Sequence, residues 1–159
     1  MKVLIVIAPE KFRDEEYTVP AAAFRKAGIG YDIASTRPGS CTGMLGMKVH
    51  AALSFGEVDP GSYDGILIVG GSGAQTYLWE DKVLGAMVNV FHRSARVVAA
   101  ICLAPVVLAR AGILNGKKAT VFASPVSLRE MKAGGAVLLD RAVVSDGRSR
   151  QSDPLSSRA

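Results

Sequence analysis

Three apolar runs rich in β-branched residues recur along the chain, and each ends abruptly in a loop of small or polar residues. They are Lys2–Ile7 (KVLIVI), Tyr63–Val69 (YDGILIV, then Gly70-Gly71-Ser72-Gly73) and Arg96–Ile101 (RVVAAI, then Cys102). A run without polar alternation has no face to give to water, so it fits a strand buried on both sides, as in a parallel sheet. Helical spacing lies between these runs. It is read over Thr18–Ala27 with Gly28 as a stop, over Lys82–Arg93 through Val83, Met87, Val90 and Phe91, over Pro105–Ala111 ending at Gly112, and over Val126–Ala133 before Gly134-Gly135. Further strands are expected at Tyr31–Ser35 and Ala119–Phe122, at a short edge over Val49–Leu53, and once or twice within Val137–Val144 before the Asp146-Gly147 turn. Pro9–Glu16 reads as a polar loop entering a helix, and Arg37–Gly46 as turn and loop because it holds Pro38, Gly39, Gly43 and Gly46. Strands alternating with helices give an α/β sandwich with a mostly parallel sheet. Sites in open sheets of this kind lie beyond the carboxyl ends of the strands.

At 159 residues with 49% apolar content, the chain can bury one domain's core and is not expected to be disordered. Two cysteines, Cys41 and Cys102, do not make a disulfide framework. No apolar run reaches the roughly 18 residues of a membrane span, and MKVLIVIAPE is too short for a signal sequence. A soluble, cytoplasmic protein without a membrane partner is expected. The net charge is +5, but the basic residues are scattered and aromatics make up only 6%, so no nucleic-acid partner is expected. Two isolated histidines and two separated cysteines match no metal-ligand spacing. Gly-Gly-Ser-Gly is not followed by Gly-Lys-Ser/Thr, so it is no phosphate loop. Neither metal nor cofactor is expected.

Cys102 carries the strongest chemical signal. It directly follows a buried strand and precedes a helix that Pro105 would open, so a sharp turn would push the sulfur out of the sheet. The first helical turn favours a thiolate there; the competing reading is a buried structural cysteine. The N–H groups of the Gly70-Gly71 loop, with that of Leu103, would form an oxyanion hole if the two strand ends are neighbours. Asp14, Glu15 and Glu16 form an acidic cluster on the same rim. A carboxyl beside a thiolate would have a raised pKa, whereas the plainer reading is a charged first helical turn. His50, His92 and Cys41 read as surface or structural residues.

Ala100-Ile101-Cys102-Leu103-Ala104-Pro105, followed by VVLARAGILNGKKAT, resembles the ThiJ/PfpI superfamily, which includes PfpI-type intracellular peptidases and the parkinsonism-associated deglycase. KVLIVIAPEKFRDEEYTVP, GSCTGMLGMKV and YDGILIVGG resemble, in order, other segments of that family, and the likeness runs from Met1 to about Gly147. The resemblance implies a flavodoxin-like three-layer sandwich, related to class I glutamine amidotransferases, that forms homodimers or larger assemblies. It implies Cys102 as the elbow nucleophile, Glu16, counted back from Pro20, as its acidic partner, and Gly71 and Leu103 as the backbone N–H donors.

The departures bear on function. PfpI-type peptidases carry histidine after the nucleophile, where this chain has Leu103, and a glutamate where this chain has Gln75. The glyoxalase-like members carry a histidine after the following strand; Val121–Pro125 holds none. Leucine cannot pass a proton to an amine leaving group. The reading is therefore a cysteine-dependent enzyme acting on small reactive carbonyl compounds. The alternatives are a PfpI-type peptidase or amidase with a peptide substrate, a non-enzymatic redox-sensing or chaperone-like stress protein, and a degenerate binding scaffold. After Asp146-Gly147 the family continues with an apolar strand and a terminal helix, whereas this chain reads RSRQSDPLSSRA. The expectation is a domain over 1–147 and an irregular polar tail over 148–159, with the terminal strand and helix missing and apolar sheet surface left for another subunit to cover.

Overall fold

Strand β1 (Lys2–Val6) carries Leu4, Ile5 and Val6 at no solvent exposure, and everything else in the molecule is arranged around it. The computed structural model describes residues 1–152. After β1 come β2 (Glu10–Phe12), α1 (Asp14–Lys26), β3 (Gly30–Ser35), β4 (Gly39–Gly43), β5 (Lys48–Ala51), β6 (Leu53–Ser54) and β7 (Gly65–Ile68). The second half holds α2 (Lys82–Arg93), β8 (Val97–Ile101), α3 (Pro105–Arg110), β9 (Lys118–Ala119), α4 (Pro125–Ala133), β10 (Val137–Leu138), β11 (Val143–Asp146) and β12 (Ser149–Ser152).

The main sheet has seven strands in the order β11-β12-β8-β7-β1-β3-β6, and only the β11–β12 pair is antiparallel. This is the mostly parallel α/β fold that the buried runs imply. Its layering follows from chirality. The β1-α1-β3 crossover steps toward one edge and the β7-α2-β8 crossover toward the other. Right-handed connections stepping in opposite directions put α1 and α2 on opposite faces. The chain reverses direction between β1 and β7, so a crevice opens beyond the carboxyl ends of those strands. On the α1 side, Val3, Phe24, Leu67, Val97 and Ala99 line an apolar groove of about 280 Å³.

Several boundaries differ from the sequence reading. The tail expected to be irregular is a strand as far as Ser152: β12 pairs parallel with β8 and antiparallel with β11. Polarity of side chains argued against a strand here, but a ladder is made by backbone groups. Alternation also sends Arg150 to solvent. A terminal strand is therefore present, and Asp153–Ala159 lie outside the described residues. Helix α1 begins at Asp14, not Thr18, and contains Pro20, whose missing N–H removes only one rung of the helix. Arg37–Gly46, read as loop, contains β4, which pairs with β5 in a small separate sheet beside β2. Cys41 accordingly sits in a strand, fully buried and unbridged. Asp14 holds this hairpin: its carboxylate accepts the N–H groups of Leu45 (3.1 Å) and Met47 (3.2 Å).

The polar composition of β12 has an energetic cost. Gln151 is 1% exposed, and neither its Oε1 nor its Nε2 has a partner among the described residues. A buried amide without hydrogen bonds destabilises by about 1–3 kcal/mol. Replacing it with leucine of similar volume, Gln151→Leu, is therefore expected to raise the urea midpoint without changing the slope of the unfolding transition. An unchanged or lowered midpoint would mean that the amide is satisfied.

Candidate active site

Cys102 sits where β8 breaks toward α3, with φ at +62°. This left-handed backbone costs an L-residue roughly 1–2 kcal/mol and persists only where neighbours over-determine it. Those neighbours are identifiable. The Cys102 N–H donates to the carbonyl of Ser152 at 2.9 Å, and the Cys102 carbonyl accepts from the Phe122 N–H at 2.8 Å. The next carbonyl, that of Leu103, accepts from the indole Nε1 of Trp79 at 2.8 Å. Cys102 is 4% exposed. The backbone N–H groups of Gly71 and Leu103 favour the charged form of its sulfur.

The Gly-Gly loop after β7 is shaped by crowding. At Gly70, a Cβ would come within 2.5 Å of the Ile101 carbonyl and 2.7 Å of both the Cys102 Cβ and Glu16 Oε1. At Gly71, where φ is +100°, it would come within 2.6 Å of the Arg13 nitrogen. No side chain fits at either position, so the loop backbone itself forms the wall beside the sulfur.

The acidic triplet at the start of α1 splits three ways, because successive helical residues point about 100° apart. Asp14 holds the β4–β5 hairpin. Glu15 faces solvent and pairs with Arg13. Glu16 turns inward at 6% exposure. Its Oε1 accepts the Gly70 N–H at 3.0 Å, and its Oε2 is buried without a hydrogen-bond partner, 3.9 Å from Arg13 Nε. Glu16, Gly71, Leu103 and Cys102, singled out from the sequence, are thus brought together from three strand ends. Burial raises the Glu16 carboxyl to about 7, against the Gly70 hydrogen bond and the Arg13 charge. Burial and the Glu16 carboxylate push the Cys102 thiol up to about 12, while Gly71, Leu103 and Arg13 pull the other way. The ionised Glu16 carboxylate thus opposes a Cys102 thiolate, whereas the neutral thiol acts to lower the Glu16 pKa, and the pair retains a proton into neutral pH.

Neither His50, on β5, nor His92, in the last turn of α2, is among the groups acting on the Cys102 charge. Gln75 lies in the short π-helical turn Ala74–Leu78. Among the described residues no cluster of His, Cys, Asp and Glu could hold a metal ion, and no helix is long and apolar enough to cross a membrane. Sequence reading missed Arg13, Trp79, Phe122 and Ser152. Phe122 and Ser152 act on the elbow through main-chain groups and leave no signal in residue type; Arg13 acts through its charge, and Trp79, the single tryptophan, offered a polar handle needing a partner.

The Glu16 burial has a consequence for stability. Its folded pKa of about 7 lies above the unfolded value of 4.5. The proton is thus held more tightly in the folded state, and the resulting stability is full below pH 4.5 and lost as pH rises through 7. The shift corresponds to about 3 kcal/mol. In a Cys102→Ser background, which removes the sulfur's own titration, stability is expected to fall by up to about this amount between pH 4.5 and 8. Adding Glu16→Gln should flatten that profile. Urea unfolding across the range checks this, and two parallel profiles would contradict it.

The chain is similar to known proteins over nearly its whole length. The DJ-1/PfpI family profile matches residues 1–154. An uncharacterized protein from Methanocaldococcus jannaschii is 51% identical over 146 residues, covering 92% of this chain and 71% of that protein. A deglycase from Thermococcus kodakarensis is 35% identical over 148 residues, covering 92% of this chain and 86% of the deglycase. The crystal structure of a ThiJ/PfpI domain protein from Brachyspira murdochii superposes with a TM-score of 0.91 at 29% identity, covering 99% of this chain and 90% of that one. The chain belongs to the DJ-1/PfpI family.

Proposed function

We propose that the protein acts on small reactive carbonyl compounds, in the manner of a deglycase, through the Cys102 sulfur. One observation carries this reading: a cysteine in a left-handed strand-to-helix turn, faced by two backbone N–H groups and a buried carboxyl whose pKa lies near neutrality. The deglycase name of the Thermococcus relative supports the substrate class.

Each residue has a role in this proposal. With the thiol proton on Glu16, the carboxylate's repulsion of a thiolate is gone; burial, the larger opposing cause, remains, and the Gly71 and Leu103 N–H groups and the Arg13 charge work against it. The thiolate adds to the aldehyde carbon, forming the S–C bond as the C=O π pair moves onto oxygen. That oxygen takes the place beside the two N–H groups, which are already oriented and need no reorganisation. Glu16 delivers its proton to the new alkoxide and can take it back when the adduct collapses. Peptide hydrolysis is less well served, because an amine leaving group needs a proton donor of its own and no imidazole acts on Cys102.

Consumption of a small aldehyde such as glyoxal, monitored with Cys102→Ser and Glu16→Gln proteins, tests the reading. Cys102→Ser is expected to abolish turnover, and Glu16→Gln to lower kcat by at least about 100-fold, the usual range for a positioned proton donor. Turnover that survives Cys102→Ser would refute the mechanism.

A further inference from the structure

Arg13 is not used by the chemistry above beyond its charge, yet its position is tightly defined. Its backbone N–H donates to the Gly70 carbonyl at 3.0 Å, and no Cβ fits between that nitrogen and Gly71. The residue is therefore fastened to the loop that walls the sulfur. Its side chain runs along Glu16, with Nε 3.9 Å from the buried, unpartnered Oε2, and stays 34% exposed. The guanidinium thus stands between the buried Glu16 carboxyl and solvent. Its Nε is engaged by Glu15, a side chain 47% exposed. Among the described residues, neither terminal nitrogen has a hydrogen bond. An exposed ion pair of that kind is worth at most about 1 kcal/mol and yields readily to a competing anion. A guanidinium offers a planar fork of donors matched to a carboxylate.

Resting on the proposed carbonyl chemistry of Cys102, we propose that Arg13 is a specificity-determining residue that gives the site a preference for carbonyl compounds carrying a carboxylate beside the reacting carbon. The carbonyl oxygen turns toward the Gly71 and Leu103 N–H groups. The neighbouring carboxylate then reaches outward to the guanidinium and displaces Glu15. An uncharged dicarbonyl makes only the first of these contacts.

Iodoacetate and iodoacetamide separate this from the underlying reading. Both react at sulfur with the same balance: the S–C bond forms and iodide leaves. Both consume the same thiolate, so the ratio of their rates is independent of how much thiolate is present. They differ in whether a carboxylate or an amide stands beside the reacting carbon. The rates are read at the Cys102 peptide by mass spectrometry, which sets Cys41 aside, with 2-mercaptoethanol as the unbiased thiol. In the unaltered protein the iodoacetate-to-iodoacetamide ratio is expected to exceed that of 2-mercaptoethanol by about tenfold, the discrimination that one charge-assisted hydrogen bond supplies. Arg13→Gln should return the ratio to the small-thiol value, Arg13→Lys should retain part of the excess, and Glu15→Gln should increase it by removing the competitor. A Cys102 that reacts with iodoacetamide but shows the same ratio with and without Arg13 overturns this proposal and leaves the carbonyl reading standing. A Cys102 that reacts with neither reagent overturns both.

Discussion

The backbone angle of +62° at Cys102 is the constraint on which the rest of the site depends. It is what turns the sulfur off the end of β8 and brings the Leu103 N–H beside it. An L-residue does not adopt this conformation unaided. Here one side of the turn is held by the Ser152 carbonyl of β12, the other by the Phe122 N–H, and the following residue by the Trp79 indole. The strain is thus supported by three segments that are remote in sequence. This explains why a strand as polar as β12 belongs to the sheet: its last carbonyl completes the hydrogen bonding of the elbow.

The second constraint is the depth of Glu16. A carboxyl at 6% exposure is costly to ionise, and one hydrogen bond from Gly70 does not offset that cost. The glycines of the β7 loop create this arrangement, because any side chain at Gly70 would occupy the space between Glu16 and Cys102. Close approach, burial and proton sharing are consequences of a single crowded point at the reversal between β1 and β7. The same crowding fastens Arg13 to the loop.

The sequence was legible where a residue's environment follows from its neighbours in the chain. Lys82–Arg93 was read as a helix with both ends correct, because its apolar spacing and its boundaries are local. The runs KVLIVI and RVVAAI marked central parallel strands, because only burial on both faces suits them. The elbow at Cys102 was visible as a strand that stops at cysteine three residues before a proline-opened helix. The short β4 and β12 were not legible. Their residues are mostly glycine, serine, threonine, arginine and glutamine, with Cys41 the one apolar member, and their pairing partners come from elsewhere in the chain. The start of α1 was missed because Pro20 argues against a helix interior, while the charged turn before it looks like any solvated loop.

By itself the sequence determined the class of fold, the places of its central strands and most of its helices, and the cysteine at the strand-to-helix turn, since patterning and turn chemistry act over a few residues. The division of labour among Asp14, Glu15 and Glu16 was decided only in three dimensions. All three are equivalent as first-turn acids, and only the packing of α1 against the Gly-Gly loop sends one of them inside. Tertiary structure likewise decided that Ser152, Phe122 and Trp79 support the turn, because two of them do so with main-chain groups that every residue carries. It also decided where Arg13 stands, because its position depends on a hydrogen bond to a loop more than fifty residues away.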